Sequence, residues 1–433
     1  MYNKSSKIFV KSAKWVIYSF FMPALVMLLF PGKIAIVTIA CCYPLIFLMI
    51  YNYKVLFNTD IRHNIYLNLF LFSNLIILIR GIFNIESKYD LGLFLVGTVP
   101  LTLLYPYIIY WVQRPVILQI FLKKFYYIIL PFSLIFLFFH NLAAGFSFID
   151  VVSPIYIFII LSPYLSKKHK LIIITISIIS FFFDLTSRAN MINIIVAYLI
   201  SFTFLFKKIG ISTKITNRLF NYIRIILLVS PIVLIILGIT GIFNIFAMND
   251  SLSSSASIKN SSNNEQELLV DSRTTIYSDV FIELKNQNSY FFGLGGNGKT
   301  HSSLTSISYA NFDKIYQGGR PQTESGMLNF IQWGGIFSSC LYFLLITYAA
   351  YLAIKKSNNW FIKAIGLWIA YKGIFSFISD SQEYDNNTLF LMITIGIALN
   401  TTLRNLSEKE MKLFLQTIFR KNNGTKRYIS ALY

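Results

Sequence analysis

Long apolar runs separated by short polar segments make up most of the chain. Most runs have about 20 residues, the length that an α-helix needs to cross the hydrocarbon core of a bilayer. Some contain proline, which membrane helices tolerate because neighbouring helices satisfy the freed carbonyl groups. The pattern predicts an all-α polytopic integral membrane protein with about 12 transmembrane helices. We place them near residues 15–31, 34–51, 65–84, 91–111, 125–140, 151–165, 170–184, 190–206, 223–247, 326–354, 360–378 and 386–403.

The positive charges of the connecting segments alternate with these predicted helices. Cytoplasmic loops of membrane proteins carry an excess of Lys and Arg. With the N-terminus inside, the segments on that side hold 27 of the 38 Lys and Arg residues but only three of the 18 acidic residues. Because the alternation holds at every loop, we expect both termini in the cytoplasm. One large loop, between helices nine and ten, then lies on the outer side.

The composition excludes a soluble cytosolic enzyme. Hydrophobic residues make up 55% of the chain and charged residues 13%, whereas soluble domains carry about 25% charged residues. The net charge of +20 would suggest nucleic acid as a partner in a soluble chain, but here it is the cytoplasmic excess that orients the helices. We expect no nucleic acid. The expected regions are helices one to nine in 1–247, the large outer loop in 248–325, helices ten to twelve in 326–403 and a basic cytoplasmic tail in 404–433.

The large outer loop is the part of the chain where we expect a site, because binding residues are often carried by loops on a rigid scaffold. It begins with a Ser- and Asn-rich stretch from Asn249 to Asn264, a composition typical of flexible segments. An amphipathic helix follows, with Ile276, Val280 and Leu284 on one face. The alternative is a plain extracytoplasmic linker.

A phosphate-binding pattern occurs within this loop. The segment Gly293–Thr300 matches G-x-x-x-x-G-K-[ST], in which backbone N–H groups and a lysine, here Lys299, hold phosphates. The pattern needs a strand before it and a helix after it, whereas Ser-rich coil follows. The outer side is also poor in ATP, so we reject nucleotide binding. Two hypotheses stay open, a turn that approaches another kind of diphosphate and a simple tight turn.

Arginines on the outer side are the strongest candidates for binding an anion. Arg188 lies at the outer junction of helices seven and eight, and Arg273 and Arg320 flank the centre of the large loop. Arginine can hold phosphate oxygens through two parallel hydrogen bonds, so three convergent arginines would bind a diphosphate. Alternatively, Arg188 forms a local ion pair with Asp184, and the other two are solvated surface charges.

Two outer residues are candidates for a general base. Glu324 lies at the mouth of helix ten, and His301 lies in the Ser-rich coil. The carboxylate of the first and the imidazole of the second can each accept the proton of a hydroxyl group. The Ser-rich surroundings of His301 favour the alternative that it is an ordinary loop residue. The sequence has no cluster of metal-binding residues, and we expect neither a metal ion nor another cofactor.

Two places in the sequence carry short motifs that include the candidate residues. The first is Ser187-Arg188-Ala189, a Ser-Arg-small motif. The second begins at Asp271-Ser-Arg273, continues through Gly293-Leu-Gly295 and ends with Glu324-Ser-Gly-Met-Leu-Asn-Phe-Ile-Gln-Trp-Gly-Gly335. Both resemble motifs of the family of bacterial O-antigen polymerases and O-antigen ligases. Glu324 stands where the ligase branch has a histidine, which favours the polymerase branch.

The resemblance implies a metal-independent glycosyltransferase of the bacterial inner membrane that takes part in lipopolysaccharide or other polysaccharide biosynthesis. Its substrates would be undecaprenyl-diphosphate-linked oligosaccharides, joined on the periplasmic face, and its other partners the lipid bilayer and a chain-length regulator protein. Arg188, Arg273 and Arg320 would stabilise the diphosphate leaving group, and Glu324 would accept the proton of the attacking hydroxyl. Asp184, Lys299 and His301 are accessory candidates.

Three alternatives to a polymerase stay open. A ligase would transfer the finished glycan to the lipid A core, with the same donor and a different acceptor. A flippase for lipid-linked oligosaccharides would have a similar number of helices, but internal repeats are expected of it and the sequence shows none. The third alternative is a membrane protein without catalytic activity, against which the outer arginines argue.

Overall fold

The computed structural model describes Trp15 and residues 34–51, 65–131, 153–183, 188–239, 272–301, 319–323, 325–379 and 386–419. Within these ranges the chain is helical and forms no strand, apart from an isolated antiparallel bridge between Thr300 and Arg320. The described helices are α1 (Ile34–Tyr51), α2 (Ile65–Ile82), α3 (Lys88–Leu93), α4 (Tyr105–Val112), α5 (Pro115–Lys124), α6 (Ile155–Leu161), α7 (Lys167–Phe183), α8 (Arg188–Phe202), α9 (Phe204–Lys208), α10 (Thr213–Ile239), α11 (Ser272–Asn286), α12 (Gly326–Lys355), α13 (Trp360–Phe375), α14 (Asn386–Leu399), α15 (Thr401–Asn405) and α16 (Glu408–Phe419).

Among the described residues, four helical segments are long and apolar enough to cross a membrane, as expected of a helical membrane protein. They are Ile65–Ile82, Lys88–Val112, Ala189–Lys208 and Gly326–Lys355. The second runs from α3 to α4 through two π-helical turns, Phe94–Thr98 and Pro100–Leu104. Ile155–Tyr164 and Asn386–Leu399 are shorter apolar helices. The total of twelve spans stays a prediction, and the predicted span 15–31 lies outside the described residues except for Trp15.

The antiparallel pair α12 and α13 forms the centre of the described bundle. α12 packs against α2, α10, α13 and α14, and α13 also packs against α6 and α8. The side chain of Asn359 accepts a hydrogen bond from the N–H of Ile362 and so caps the start of α13. Gly366 lies against Ala353 and Ile354, where an added Cβ would come within 2.8 Å of either side chain. Small residues thus allow the two helices to approach closely.

One end of the bundle gathers segments that the charge pattern places in the cytoplasm. The carboxylate of Glu408, the first residue of α16, accepts a hydrogen bond from the N–H of Trp360 (2.9 Å) and pairs with Lys207 (3.2 Å). The indole of Trp360 donates to Thr203, just after α8. α8 and α13 therefore run antiparallel, and their other ends, near Arg188 and Phe375, lie on the opposite side of the bundle. The grouping is consistent with the predicted alternation, and the orientation in a membrane stays a prediction.

Candidate functional site

Helix α12 is broken near its start. Gly335 has φ 63° and ψ −163°, a conformation outside the helical region. The break frees the N–H groups of the next two residues, and these donate to the carbonyls of Tyr290 (2.9 Å) and Phe291 (3.1 Å). Non-helical backbone inside a membrane protein is stable only where other groups satisfy it. Here the segment before the Gly-rich turn satisfies it.

The Gly-rich turn itself is bound to the helices through its backbone. The N–H groups of Leu294 and Gly295 donate to the carbonyls of Gln332 (2.7 Å) and Trp333 (2.8 Å), and that of Gly296 donates to Ile77 (2.9 Å). Two more N–H groups of the turn, of Gly293 and Gly298, also donate to protein carbonyls. These five N–H groups are thus committed to the protein and do not form a phosphate cradle.

Side chains from α2 and the residues after it hold the same turn from the other side. The guanidinium of Arg80 donates to the carbonyl of Gly293 (2.8 Å). The amide of Asn84 donates to the carbonyls of Leu294 (2.9 Å) and Gly296 (3.1 Å). The turn is therefore a rigid joint between α2, α12 and the outer loop.

We expect Gly293→Ala to prevent stable folding. Gly293 has φ +68°, and an added Cβ would lie 2.4 Å from the backbone nitrogen of Gly335. The backbone strain alone costs about 1–3 kcal/mol. The atoms that the Cβ would meet belong to the main chain of Trp333, Gly334 and Gly335, and main-chain atoms cannot rotate away. Gly92→Ala is the matched control, because an added Cβ there meets nothing within 4 Å. In thermal unfolding in detergent, the melting temperature should fall strongly for Gly293→Ala and stay unchanged for Gly92→Ala. Equal melting temperatures of the two variants would contradict the role of the turn as a rigid joint.

Lys299, the lysine of the phosphate-binding pattern, pairs with a buried carboxylate. Its ammonium lies 2.9 Å from Asp90, whose side chain is 1% exposed. The other carboxylate oxygen of Asp90 accepts from the hydroxyl of Ser87 (2.8 Å), and the Asp90 carbonyl accepts from the amide of Asn297 (2.7 Å). Lys299 thus ties the turn to the start of α3, whatever further role it has.

We expect Lys299→Met to destabilise the protein more than Asp90→Asn does. The first variant leaves the carboxylate of Asp90 in a buried place without its ammonium partner, which costs about 3 kcal/mol. The second leaves an ammonium that is 17% exposed and therefore better hydrated. Thermal unfolding of the two single variants and the double variant measures the interaction between Lys299 and Asp90. A double variant that is no more stable than Lys299→Met alone would contradict this interaction.

His301, a candidate base, lies at the protein surface. Its side chain is 74% exposed, and Nδ1 lies 3.1 Å from the carboxylate of Glu283. Burial would raise the pKa of Glu283, but hydrogen bonds from Gln287 and His301 outweigh burial and hold this pKa below its usual range. The imidazole of the pair is thus open to solvent, whereas the carboxylate of Glu283 is only 13% exposed.

Arg320 lies beside the Gly-rich turn. Its N–H and carbonyl pair with those of Thr300 at 2.8 and 3.0 Å, and its carbonyl also accepts from the side chain of Gln332 (3.1 Å). The guanidinium is half-buried. The described backbone contacts of Arg320 thus belong to the joint between the loop and α12.

The start of α12 is fixed against the end of α13. The hydroxyl of Ser325, which caps α12, donates to the carbonyl of Ser376 (2.9 Å), and the N–H of Met327 donates to the same carbonyl (2.9 Å). Thr323 bonds to the amide oxygen of Asn329 through its N–H (2.6 Å) and hydroxyl (2.7 Å). Both neighbours of Glu324 are therefore buried and fixed. Glu324 itself lies outside the described residues.

The amphipathic helix of the loop is α11, and it reaches the same place. Its predicted apolar face is confirmed: Ile276, Val280 and Leu284 are buried together with Leu294 and Leu328. The hydroxyl of Tyr277 donates to the carbonyl of Phe377 (2.7 Å), just beyond α13. Arg273 belongs to the first turn of α11, four residues before Tyr277 in the chain.

A buried lysine, Lys372, lies one turn before the end of α13. It is 1% exposed, and its ammonium contacts the amide oxygen of Asn193 on α8 (3.4 Å), which also accepts from the hydroxyl of Tyr371 (2.9 Å). Lys372 is not among the candidate residues drawn from the sequence. The available signal was a lysine inside a predicted span, which is a functional candidate by default.

Arg188 begins α8, the helix that carries Asn193. Asn190 bonds to the hydroxyl of Tyr156 on α6 (2.7 Å), which fixes this first turn against the bundle. Asp184, the predicted partner of Arg188, lies outside the described residues. Arg188 is thus placed by its position in the helix, on the same side of the bundle as the end of α13.

The candidate residues fall into two groups in the described structure. Lys299, Arg320 and His301 lie at or near the Gly-rich turn. Arg188 and Arg273 belong to helix starts near the end of α13, as do the two neighbours of Glu324. The convergence of all three arginines on one anion site stays a prediction.

The described ranges contain no group of three or more His, Cys, Asp or Glu side chains that could hold a metal ion. Comparison of the chain with protein-family models, curated proteins and solved structures found no match.

Proposed function

We propose that the protein is a polysaccharide polymerase of the bacterial inner membrane. It would join oligosaccharide repeat units carried by undecaprenyl diphosphate, on the periplasmic face, with undecaprenyl diphosphate as leaving group. Membrane-spanning helices, a large outer loop and the motifs around Arg188, Arg273 and Glu324 are the sequence features that support this proposal.

One structural arrangement carries the proposal: the starts of α8, α11 and α12 lie at the level of the end of α13. Asn193 contacts Lys372, and Arg188 lies five residues earlier in α8, about 7.5 Å along its axis. Because α8 and α13 are antiparallel, the level of Arg188 corresponds to about five residues beyond Lys372, near Phe377. The bonds of Tyr277 and Ser325 to Phe377 and Ser376 bring the starts of α11 and α12 to that level.

This arrangement suits transfer from a diphosphate-linked donor. A hydroxyl of the acceptor sugar would attack the anomeric carbon of the donor, a carbon–oxygen bond would form there, and the bond to the diphosphate oxygen would break. Preorganised cations at Arg188 and Arg273 would stabilise the charge that develops on the leaving diphosphate. Glu324 would accept the hydroxyl proton, since its chain neighbours are held rigidly at the same place.

The proposal is tested by deleting the gene and separating the surface glycolipids on a gel, with and without the gene restored. Loss of the ladder, with the core capped by one repeat unit, is the result that we expect of a polymerase. Bare core with long lipid-linked polymer behind it would instead indicate a ligase. Bare core with single lipid-linked units facing the cytoplasm would indicate a flippase and would contradict the outer site.

A further inference from the structure

We propose that Lys372 binds the diphosphate of the polyprenyl-linked substrate together with Arg188. The proposal rests on the function inferred above and deepens it, because it adds a cation within the helix bundle to a site otherwise built from loop and helix-end residues. The ligand class is a lipid-linked diphosphate.

The burial of Lys372 is the first support. Its side chain is 1% exposed, inside α13, and α13 is buried over most of its length. An ammonium group in such surroundings loses its hydration, and in membrane proteins ionisable residues of this kind mark substrate or ion sites. A lysine kept there at that cost is expected to have a role beyond packing.

The immediate surroundings of Lys372 suit a cation. Its ammonium lies 5.6 Å from the ring centre of Trp368 and 5.2 Å from that of Phe375, one turn before and one turn after it on the same helix. Aromatic faces at this distance stabilise a positive charge. The amide oxygen of Asn193 lies 3.4 Å away, on the side of α8. The charged form is thus supported at a point between α8 and α13.

The position of this point connects it with the other candidate residues. Arg188 is about 7.5 Å from Asn193 along the axis of α8, and Ser376, which holds the start of α12, is about 6 Å from Lys372 along α13. Measured along the helix axes, the ammonium is therefore within about two helical turns of the chain position of Arg188 and of Ser325, the described neighbour of Glu324. A diphosphate is shorter than this separation, and the long side chain of an arginine would bridge the remaining distance, so that one cation would serve each phosphate.

The competing explanation is that Lys372 only fastens α13 to α8. Tyr371 offers a way to separate the two, because its hydroxyl bonds to the same oxygen of Asn193 (2.9 Å) and carries no charge. Removing that hydroxyl weakens the link between the helices and keeps the ammonium. If the charge binds the ligand, the lysine variant must lose far more affinity than the tyrosine variant.

The test measures binding of undecaprenyl diphosphate to the full-length protein purified in detergent, with undecaprenol as the uncharged probe. The variants are Lys372→Met, Tyr371→Phe and Lys363→Met, the last being a half-buried lysine nine residues earlier on α13. We expect Lys372→Met to bind undecaprenyl diphosphate about tenfold more weakly, the effect of losing one charge-assisted contact. Tyr371→Phe should keep most of the affinity and Lys363→Met all of it. The affinity for undecaprenol should be unchanged in all three variants.

Each other outcome is informative. Unchanged affinity of Lys372→Met, or an equal loss in Tyr371→Phe, would overturn the role of Lys372 and leave the polymerase proposal standing. If the wild-type protein binds undecaprenyl diphosphate no better than undecaprenol, both proposals fail. If Lys372→Met does not fold, Lys372→Gln and Lys372→Arg replace it. Equal affinities of these two folded variants for undecaprenyl diphosphate would contradict a need for the positive charge. Loss of affinity in Lys372→Gln alone would support it.

Discussion

Arg188→Ala should abolish the surface polymer while the amount of protein in the membrane stays near that of the wild type. The first turn of α8 is held by Asn190 and Tyr156 (2.7 Å), so the helix should form without the guanidinium. The loss is then one of chemistry: removing a preorganised group that stabilises developing charge lowers the rate by about 10²–10³-fold. A glycolipid gel and an immunoblot of the membrane fraction measure the two quantities together.

The control for this variant is Arg218→Ala. Arg218 is an exposed arginine of α10, in a segment that the charge pattern places in the cytoplasm. Its removal should leave both the ladder and the amount of protein unchanged. A normal ladder from Arg188→Ala would contradict the assignment of Arg188 to the diphosphate.

Glu324→Gln should reduce polymerisation by about 10²–10⁴-fold, the usual contribution of a general base. The substitution keeps the size of the side chain and the capping of α12 by the neighbouring Ser325, so folding should be unaffected. The measurement is the initial rate of chain extension by the purified protein at several pH values. A Gln variant with the wild-type rate would exclude Glu324 as the base.

Glu283→Gln is the matched control for that measurement. Glu283 is a carboxylate of the same loop, on α11, and it contacts the exposed imidazole of His301. Because the proposal gives Glu283 no part in the reaction, we expect the rate to change by less than about twofold. A loss of rate as large as that of Glu324→Gln would instead assign the role of general base to the Glu283–His301 pair.

Local pattern was enough to predict several elements. Helical periodicity gave the buried face of α11, and apolar run lengths gave bounds close to those of α1, α2, α12 and α13. These features depend on residues a few positions apart, which is the range that hydrophobic periodicity reports. By contrast, α10 begins at Thr213, ten residues before the predicted span, because the helix continues through a polar, exposed segment.

The long-range bonding of the Gly-rich turn could not be predicted in this way. The sequence left open a turn that approaches a diphosphate and a simple tight turn, and it gave no acceptors within the protein for the backbone N–H groups of this turn. The acceptors are carbonyls of Ile77, Gln332 and Trp333, and two of these are free only because α12 breaks at Gly335. The local sequence of the turn does not reveal these acceptors, because they lie about 40 residues away in α12 and more than 200 residues away in α2.

Lys372 was missed for a related reason. The sequence places a lysine inside a span but does not show which helix faces it. Only the packing of α8 against α13 brings Asn193 to its ammonium and Arg188 to the same side of the bundle. A rule that treats every charge within a span as a site residue would have included it.

The most direct test of the proposed function is extension of lipid-linked repeat units by the purified protein alone. Repeat units isolated from the deletion strain would be supplied on undecaprenyl diphosphate in liposomes, and products separated by length. We predict a ladder of longer glycans with release of one undecaprenyl diphosphate per bond formed, and no ladder with Arg188→Ala. Repeat units that stay unextended by folded wild-type protein would contradict the proposal.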